Sequence, residues 1–349
     1  KALPGSRSVD PEARRLVKET SRIFQERAEN TGARMHEVAK RALELDPDYP
    51  EAIKWMAYAE WMTGYDGVVP MDEAEARAEE LSDRYIELVP DSGFFEANEA
   101  WQYDVRGELE MAAELFLLSL DKDLNDSEQL RWAGRFALII DKMDVGVSIL
   151  EHALAVDPLN HQVRRVLSQA LMYRGAPGDL RRAIDVREQY LTSAATGGQP
   201  YYSLLLMLNG EPEKVAEVWA DSPPGTHEQR TPYLAMADYS MGNVDDARAK
   251  LANLEALLAE VTEEGSNPRK QDDLRYAVAT VAAWMGDADK AFAHLLPPHS
   301  SAGYFVRQEV HNPQWREIRD DPRWLEYREA VGMSQERLDA IEFDPWLPE

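Results

Sequence analysis

The chain has 349 residues, 64 acidic against 38 basic side chains, a formal charge of −26 and no cysteine. That charge argues against a nucleic-acid backbone or an anionic membrane surface as the main partner, and the missing thiols exclude disulfides, thiolate metal sites and Cys nucleophiles. The longest apolar runs, such as Leu204–Leu208, are far too short to cross a bilayer.

Lys1 is not an initiator Met, so the sequence reads as a processed product or a piece of a longer chain. Strand signals are scarce, and helical stripes separated by Gly, Asp-Pro or Asn-Pro fill nearly everything. A half-buried earlier copy of a repeating unit spans about Asp10 to Pro47 and ends in AKRALELDP at Ala39–Pro47. First helices of further units are predicted to begin near Pro50, Gly93, Ser127, His161, Thr196, Glu228 and Asp272. Their spacing is roughly 43, 34, 34, 35, 32 and 44 residues, around the ~34-residue period of a helix–turn–helix repeat. The eighth positions are Ala57, Ala100, Gly134, Ser168, Ser203, Ala235 and Ala279, all small enough for two helices to approach closely. Gly64, Gly107, Gly175, Gly210, Gly242 and Gly286 occupy the turn, where positive φ ends the first helix. Asp141 breaks that pattern. Ala112, Gly146, Ala183, Ala247 and Ala291 open the second helices, with Val215 the exception.

The clearest single unit is Asp144–Pro158, where Val145, Ile149, Leu150, Ala153 and Val156 make one apolar stripe before Asp157-Pro158 stops the helix. Such a stripe cannot bury itself, so copies must stack. Asp66–Asp72 and Glu263–Lys270 read as insertions, and Ala195–Gly198 as a Gly-rich joint. After Pro297-Pro298 the pattern weakens to one helix over His299–Val310, then to Asp321-Pro322, a helix start with Asp as cap and Pro in the first turn. Asn312–Glu349 is predicted to cover the last hairpin near Trp284 and Leu295.

In register over Asp10 to Pro297, these small residues and turn glycines resemble the tetratricopeptide repeat. The resemblance implies an all-α, right-handed superhelical solenoid of seven to eight helix pairs. Residues 1–297 then form the solenoid and residues 298–349 a helical cap. The ending around Asp321-Pro322-Arg323-Trp324 is similar to the close of the repeat regions of bacterial membrane-tethered transcriptional regulators and nucleotide cyclases. That implies a periplasmic or extracytoplasmic place, with a membrane anchor upstream of Lys1; a cytoplasmic place stays open.

Chemistry-bearing patterns are few. His36, His152, His161, His227, His294, His299 and His311 form no H-E-x-x-H pair, and the phosphate-loop, dinucleotide and nucleophile-elbow motifs are absent. Asp245-Asp246, Asp272-Asp273 and Asp320-Asp321 are adjacent in sequence and diverge on a helix, which is poor geometry for paired acid–base work. No catalytic residue, metal site or cofactor is therefore expected. Trp55, Trp132, Tyr201 and Tyr233 share the sixth position of their helices and read chiefly as packing bulk. Lys54, Tyr58, Trp61, Trp101, Arg131, Arg135, Arg165 and Gln169 fall on the face that the resemblance places along the inner groove. The basic members could focus a positive field or pair with neighbours such as Glu128. The peptide-carboxylate clamp of chaperone-binding repeats wants Asn where Trp101, Arg135 and Gln169 stand, so that activity is not expected.

The function these residues point to is a non-enzymatic scaffold or sensory docking domain that holds a protein or peptide partner in its groove. The alternatives are an envelope protein binding a small molecule or peptide, and an accessory subunit holding a catalytic partner.

Overall fold

The computed structural model describes residues 9–26, 30–65, 68–191, 199–220, 227–263, 268–296 and 303–348. The helices pack as two compact units, Lys1–Phe95 and Glu96–Glu349. The first holds α1 (Pro11–Glu26), α2 (Thr31–Leu45), α3 (Pro50–Tyr65) and α4 (Met71–Leu88). α5 (Phe94–Arg106) begins at the division. The second continues with α6 (Leu109–Lys122), α7 (Ser127–Ile139), α8 (Met143–Val156), α9 (His161–Arg174) and α10 (Asp179–Leu191). Then come α11 (Gln199–Leu208), α12 (Val215–Val218), α13 (His227–Ser240), α14 (Val244–Glu263), α15 (Pro268–Trp284) and α16 (Ala288–Leu295). A C-terminal group follows: α17 (Gly303–Glu309), a 3-10 turn over Pro313–Ile318, α18 (Pro322–Ala330) and α19 (Gln335–Ala340). Among the described residues every regular element is helical. No described helix is long and apolar enough to cross a membrane.

Each unit is built as a solenoid. Hairpin partners pack together, as α1 on α2 or α7 on α8, and first helices also touch the next first helix, as α1 on α3, α7 on α9 and α13 on α15. The predicted small positions lie at these contacts. A Cβ on Gly134 would sit 2.7 Å from Leu150 Cγ, and one on Gly146 2.7 Å from Leu138 Cδ2 and 3.0 Å from Gly134 O, so α7 and α8 cross with both glycines in the seam. Where the eighth residue is Ser, its hydroxyl is used: Ser168 Oγ donates to Ala183 O (2.9 Å) and Ser203 Oγ accepts from Trp219 Nε1 (2.9 Å).

Three details differ from the sequence reading. The buried stripe of α8 runs through Gly146, Val147, Ile149, Leu150 and Ala153, so Val147 takes the place expected of Val145. Gly107, Gly175, Gly210, Gly242 and Gly286 do have positive φ. Gly64 instead lies within α3, where a Cβ would be 2.7 Å from Ala74 Cβ and 2.8 Å from Met71 Sδ; it admits α4 rather than making a turn. Asp141 breaks the letter of the turn but not its shape, because it adopts φ +64° itself. The joint at Ala195–Gly198 lies outside the described residues, as does residue 196 as a helix start.

The C-terminal group packs on several other helices of unit 2. On the last hairpin, the Trp315 ring meets Tyr276 edge-on (5.4 Å), Arg316 lies over Trp284 (4.7 Å) and Arg323 over Phe292 (4.8 Å). It also reaches the first hairpins of the unit. Arg337 pairs with Glu110 (2.6 Å) and donates to Gly107 O, His311 Nε2 bonds Ile139 O (3.2 Å), and Phe343 packs on Phe136 (5.4 Å). Trp315, Ile318, Tyr327, Met333, Leu338 and Phe343 are all buried. As expected from Asp321-Pro322, the Asp321 side chain caps α18 by accepting from Arg323 N.

Candidate functional site

The inner residues of unit 2 come from successive first helices and converge on one carboxylate. On α9, Arg165, Gln169 and Tyr173 recur every four residues and so share a face. Gln169 Nε2 donates to Tyr173 Oη (2.9 Å) and Tyr201 Oη (3.3 Å), the latter from α11. Tyr201 Oη donates to Glu309 at the end of α17, whose other oxygen accepts from Asn312 Nδ2 (2.6 Å). Tyr173 Oη also reaches Gln308 O (3.5 Å), and Trp315 Nε1 donates to Glu309 O (2.8 Å). The chain's own acidic residue therefore sits among the polar side chains of the inner face.

Burial raises the Glu309 carboxyl above its ordinary range, against the hydrogen bonds from Tyr201 and Asn312 and the attraction of Arg135. Its charge is felt widely. Tyr173, Tyr201, Tyr233 and Tyr276 are pushed up by burial first and by Glu309 next, so all four remain protonated donors. Arg165 is held down by desolvation and by the like charges of Arg135, Arg131 and Arg187, with Tyr201 acting the other way. Yet Arg135, Arg165, Tyr173, Tyr201, Tyr233, Tyr276 and Glu309 each keep partial solvent exposure. They form a polar cluster that is largely desolvated by surrounding protein.

Close to Arg135, Asp104 on α5 is buried and pushed up to about 7 by desolvation, opposed by Arg135 and Arg307. Arg307 docks its guanidinium on the C-terminal turn of α5, with Nη2 donating to Asp104 O and Val105 O at 2.8 Å each. A cation at carbonyls that end a helix is electrostatically well placed.

The eight residues singled out in the sequence divide between the units. In unit 1, Lys54 lies over the Phe94 ring (4.9 Å), and Tyr58 meets Phe24 edge-on (4.9 Å) and stacks with Trp61 (6.2 Å); both rings pack against the α1–α3 core while remaining partly exposed. In unit 2, Trp101 is half-exposed on α5. Arg131 is only 3% exposed and pairs with Glu128 (2.8 Å). Arg135, Arg165 and Gln169 belong to the polar cluster. Sequence reasoning missed Tyr173, Tyr276, Arg187 and Glu309, and read Tyr201 and Tyr233 as bulk. A usable signal was there for Tyr173, which recurs at four-residue spacing on the α9 face of Arg165 and Gln169. Among the described residues no three His, Cys, Asp or Glu side chains are grouped to hold a metal.

No family model matches the sequence. No curated protein matches it either. Solved structures with a similar fold include a human IFIT1 dimer with PPP-AAAA, at 13% identity and TM-score 0.47, over 81% of this chain and 71% of that one. Yeast Tom70 is another, at 15% identity and TM-score 0.44, over 94% of this chain and 70% of that one.

Proposed function

We propose that the chain is a non-enzymatic interaction protein that holds a partner against the inner side chains of its first helices. In this reading Lys54, Tyr58 and Trp61 serve unit 1, and Trp101, Arg131, Arg135, Arg165 and Gln169 serve unit 2. Residues 298–349 close the solenoid of residues 1–297. The observation that supports it is the polar cluster of unit 2, where Gln169 and Tyr173 of α9 and Tyr201 of α11 are joined by hydrogen bonds and reach Glu309. Preformed helix faces supply such contacts with little ordering cost, and Arg and Tyr commonly dominate binding energies. The similarity of the C-terminal ending to membrane-tethered bacterial regulators suits a sensory or docking role outside a membrane.

The test compares partners retained from the source cells by the parent and by an Arg135→Ala/Arg165→Ala variant of the same thermal midpoint. A partner bound by the first and lost by the second is expected. Equal retention moves the binding face elsewhere. A second reading, binding of a small molecule, is favoured by one specific observation: the C-terminal group already lies along the inner face of unit 2 through Tyr173, Tyr201 and Tyr276.

A further inference from the structure

We infer that this chain associates with itself head to tail: the acidic outer face of the C-terminal group in one copy, led by Trp346, docks on the basic face of α1 in the next. The contact uses none of the inner side chains assigned to a partner above.

The C-terminal group is one-sided in charge. From residue 320 onward its three arginines turn onto the protein's own groups: Arg323 pairs with Asp321 and Asp289, Arg328 donates to Met333 O (2.9 Å), and Arg337 pairs with Glu110. Asp320, Glu326, Glu329, Glu336, Glu342 and Asp344 are left exposed. None of these carboxylates makes a hydrogen bond or ion pair with another described residue. The same stretch exposes Trp346 (73%) and, on α18, Leu325 (67%). The indole is held out by its surroundings. Ile341 and Phe343 are buried, the latter against Phe136 (5.4 Å), and Pro345 and Pro348 restrict the backbone on either side of Trp346. A ring presented in this way loses little freedom on docking, and Trp anchors carry much of the energy of many interfaces.

α1 has the opposite character. In a chain of net charge −26, its described side chains include four exposed basic ones, Arg14, Arg15, Lys18 and Arg22, against Glu12 and Glu19. Both of those carboxylates pair with Arg15 (2.7 and 3.1 Å). Lys18 makes no hydrogen bond or ion pair with another described side chain. Arg15, Lys18, Glu19 and Arg22 line an open cleft of about 420 Å³. An indole entering it meets aliphatic stems and cations that attract its face, and the carboxylates beside Trp346 complement the charges around the cleft. A second cleft, between α14 and α16, balances Arg248 and Lys290 with Glu255 and Asp287, and so complements an acidic segment less well.

Two copies of this net charge repel at long range, but salt at about 0.15 M screens that beyond about 8 Å and leaves the contact charges acting. The two surfaces differ, so the contact is heterologous and leaves a free α1 face and a free tail at the ends of any assembly.

The experiment is sedimentation velocity of the full chain at about 0.15 M salt, with loadings from about 1 μM to about 1 mM to cover weak and moderate affinities. The mean mass should rise with concentration. Trp346→Ala and, separately, Lys18→Glu/Arg22→Glu should each weaken association about tenfold or more, the size of a lost anchor. Lys18→Glu alone serves if the double variant loses helical ellipticity. Lys214→Gln, at an exposed residue paired with Glu211, should change nothing. Mixing decides the geometry. Trp346→Ala keeps an intact α1 and Lys18→Glu/Arg22→Glu an intact tail, so two variants that are monomeric alone should form a dimer of one copy of each that grows no further. A parent that stays monomeric throughout overturns the inference and leaves the acidic face to a basic partner of another kind. Association unaltered by either variant, or a mixture that stays monomeric, overturns it as well.

Discussion

Substituting Gly134 by Ala tests the helix register through a sign change. An Ala in the middle of α7 gains about 1 kcal/mol of helix propensity over Gly. Against that, the added Cβ stands 2.7 Å from Leu150 Cγ and 3.0 Å from Leu150 Cδ2, and Leu150 is fully buried with nowhere to retreat. Overpacking of this kind costs about 1–3 kcal/mol, so the net effect is a loss of about 0–2 kcal/mol. Leu150→Ala alone should lose about 2–5 kcal/mol by leaving a cavity. In the Leu150→Ala background both clashing carbons are gone, and the nearest remaining atom is Gly146 O at 3.4 Å. Gly134→Ala should then stabilise, because propensity acts unopposed and the new methyl fills part of the cavity. The coupling energy should be about 1–3 kcal/mol, within the range seen for side chains in contact. Urea midpoints of the four proteins, followed by helical ellipticity, measure it. A midpoint raised by Gly134→Ala in the parent, or shifted equally in both backgrounds, refutes the glycine seam between α7 and α8.

Gly175 supplies the contrasting case: nothing lies within 4 Å of an added Cβ, but φ is +63°, so Gly175→Ala should cost about 1 kcal/mol through backbone conformation alone, seen as a lower thermal midpoint. Asp104, raised to about 7 with Oδ1 lacking a hydrogen-bond partner among the described residues, favours the folded state in its neutral form. That stabilisation is complete below about pH 4 and is lost as the pH rises to about 7, a span of about three pH units worth up to about 4 kcal/mol. Asp104→Asn should accordingly flatten the fall of the thermal midpoint between pH 4 and 7 and exceed the parent at pH 8; parallel pH profiles contradict this. Trp315→Ala removes a side chain 1% exposed that packs on Tyr276 and Trp324, and should cost about 3–5 kcal/mol by chemical denaturation.

The repeat was legible because each unit announces itself twice, by a small residue at the eighth position and by a turn residue some seven places later. Where one letter serves two purposes, reading fails. Gly64 looks like a turn glycine, yet it is used for the missing Cβ and not for its φ. Asp141 looks like a missing turn, yet Asp tolerates the left-handed region well enough to make it. The inner-face position of Arg135, Arg165 and Gln169 followed from helical spacing. Glu309 did not, because nothing local distinguishes one Glu in a short helix from any other. Its meaning comes from Tyr201, 108 positions away. The bonds of Arg337 to Glu110 and of His311 to Ile139 are equally silent in sequence, and no shift of composition marks the division at Phe95.

The bonds of Arg307, His311 and Arg337 back to α5–α7 change how unit 2 must assemble. A simple repeat array can start anywhere and grow by nearest-neighbour steps. Here residues 202 to 230 positions apart are joined, as Arg307 with Asp104 and Arg337 with Gly107, and such closures are entropically late. During synthesis α5, α7 and α9 leave the ribosome long before the segment that meets them. Hairpins made early wait with their inner side chains wet, and the polar cluster acquires its carboxylate only when the last part of the chain arrives. Unit 2 is then fastened from its first hairpin to its last, so it loosens as a single block instead of fraying from one end.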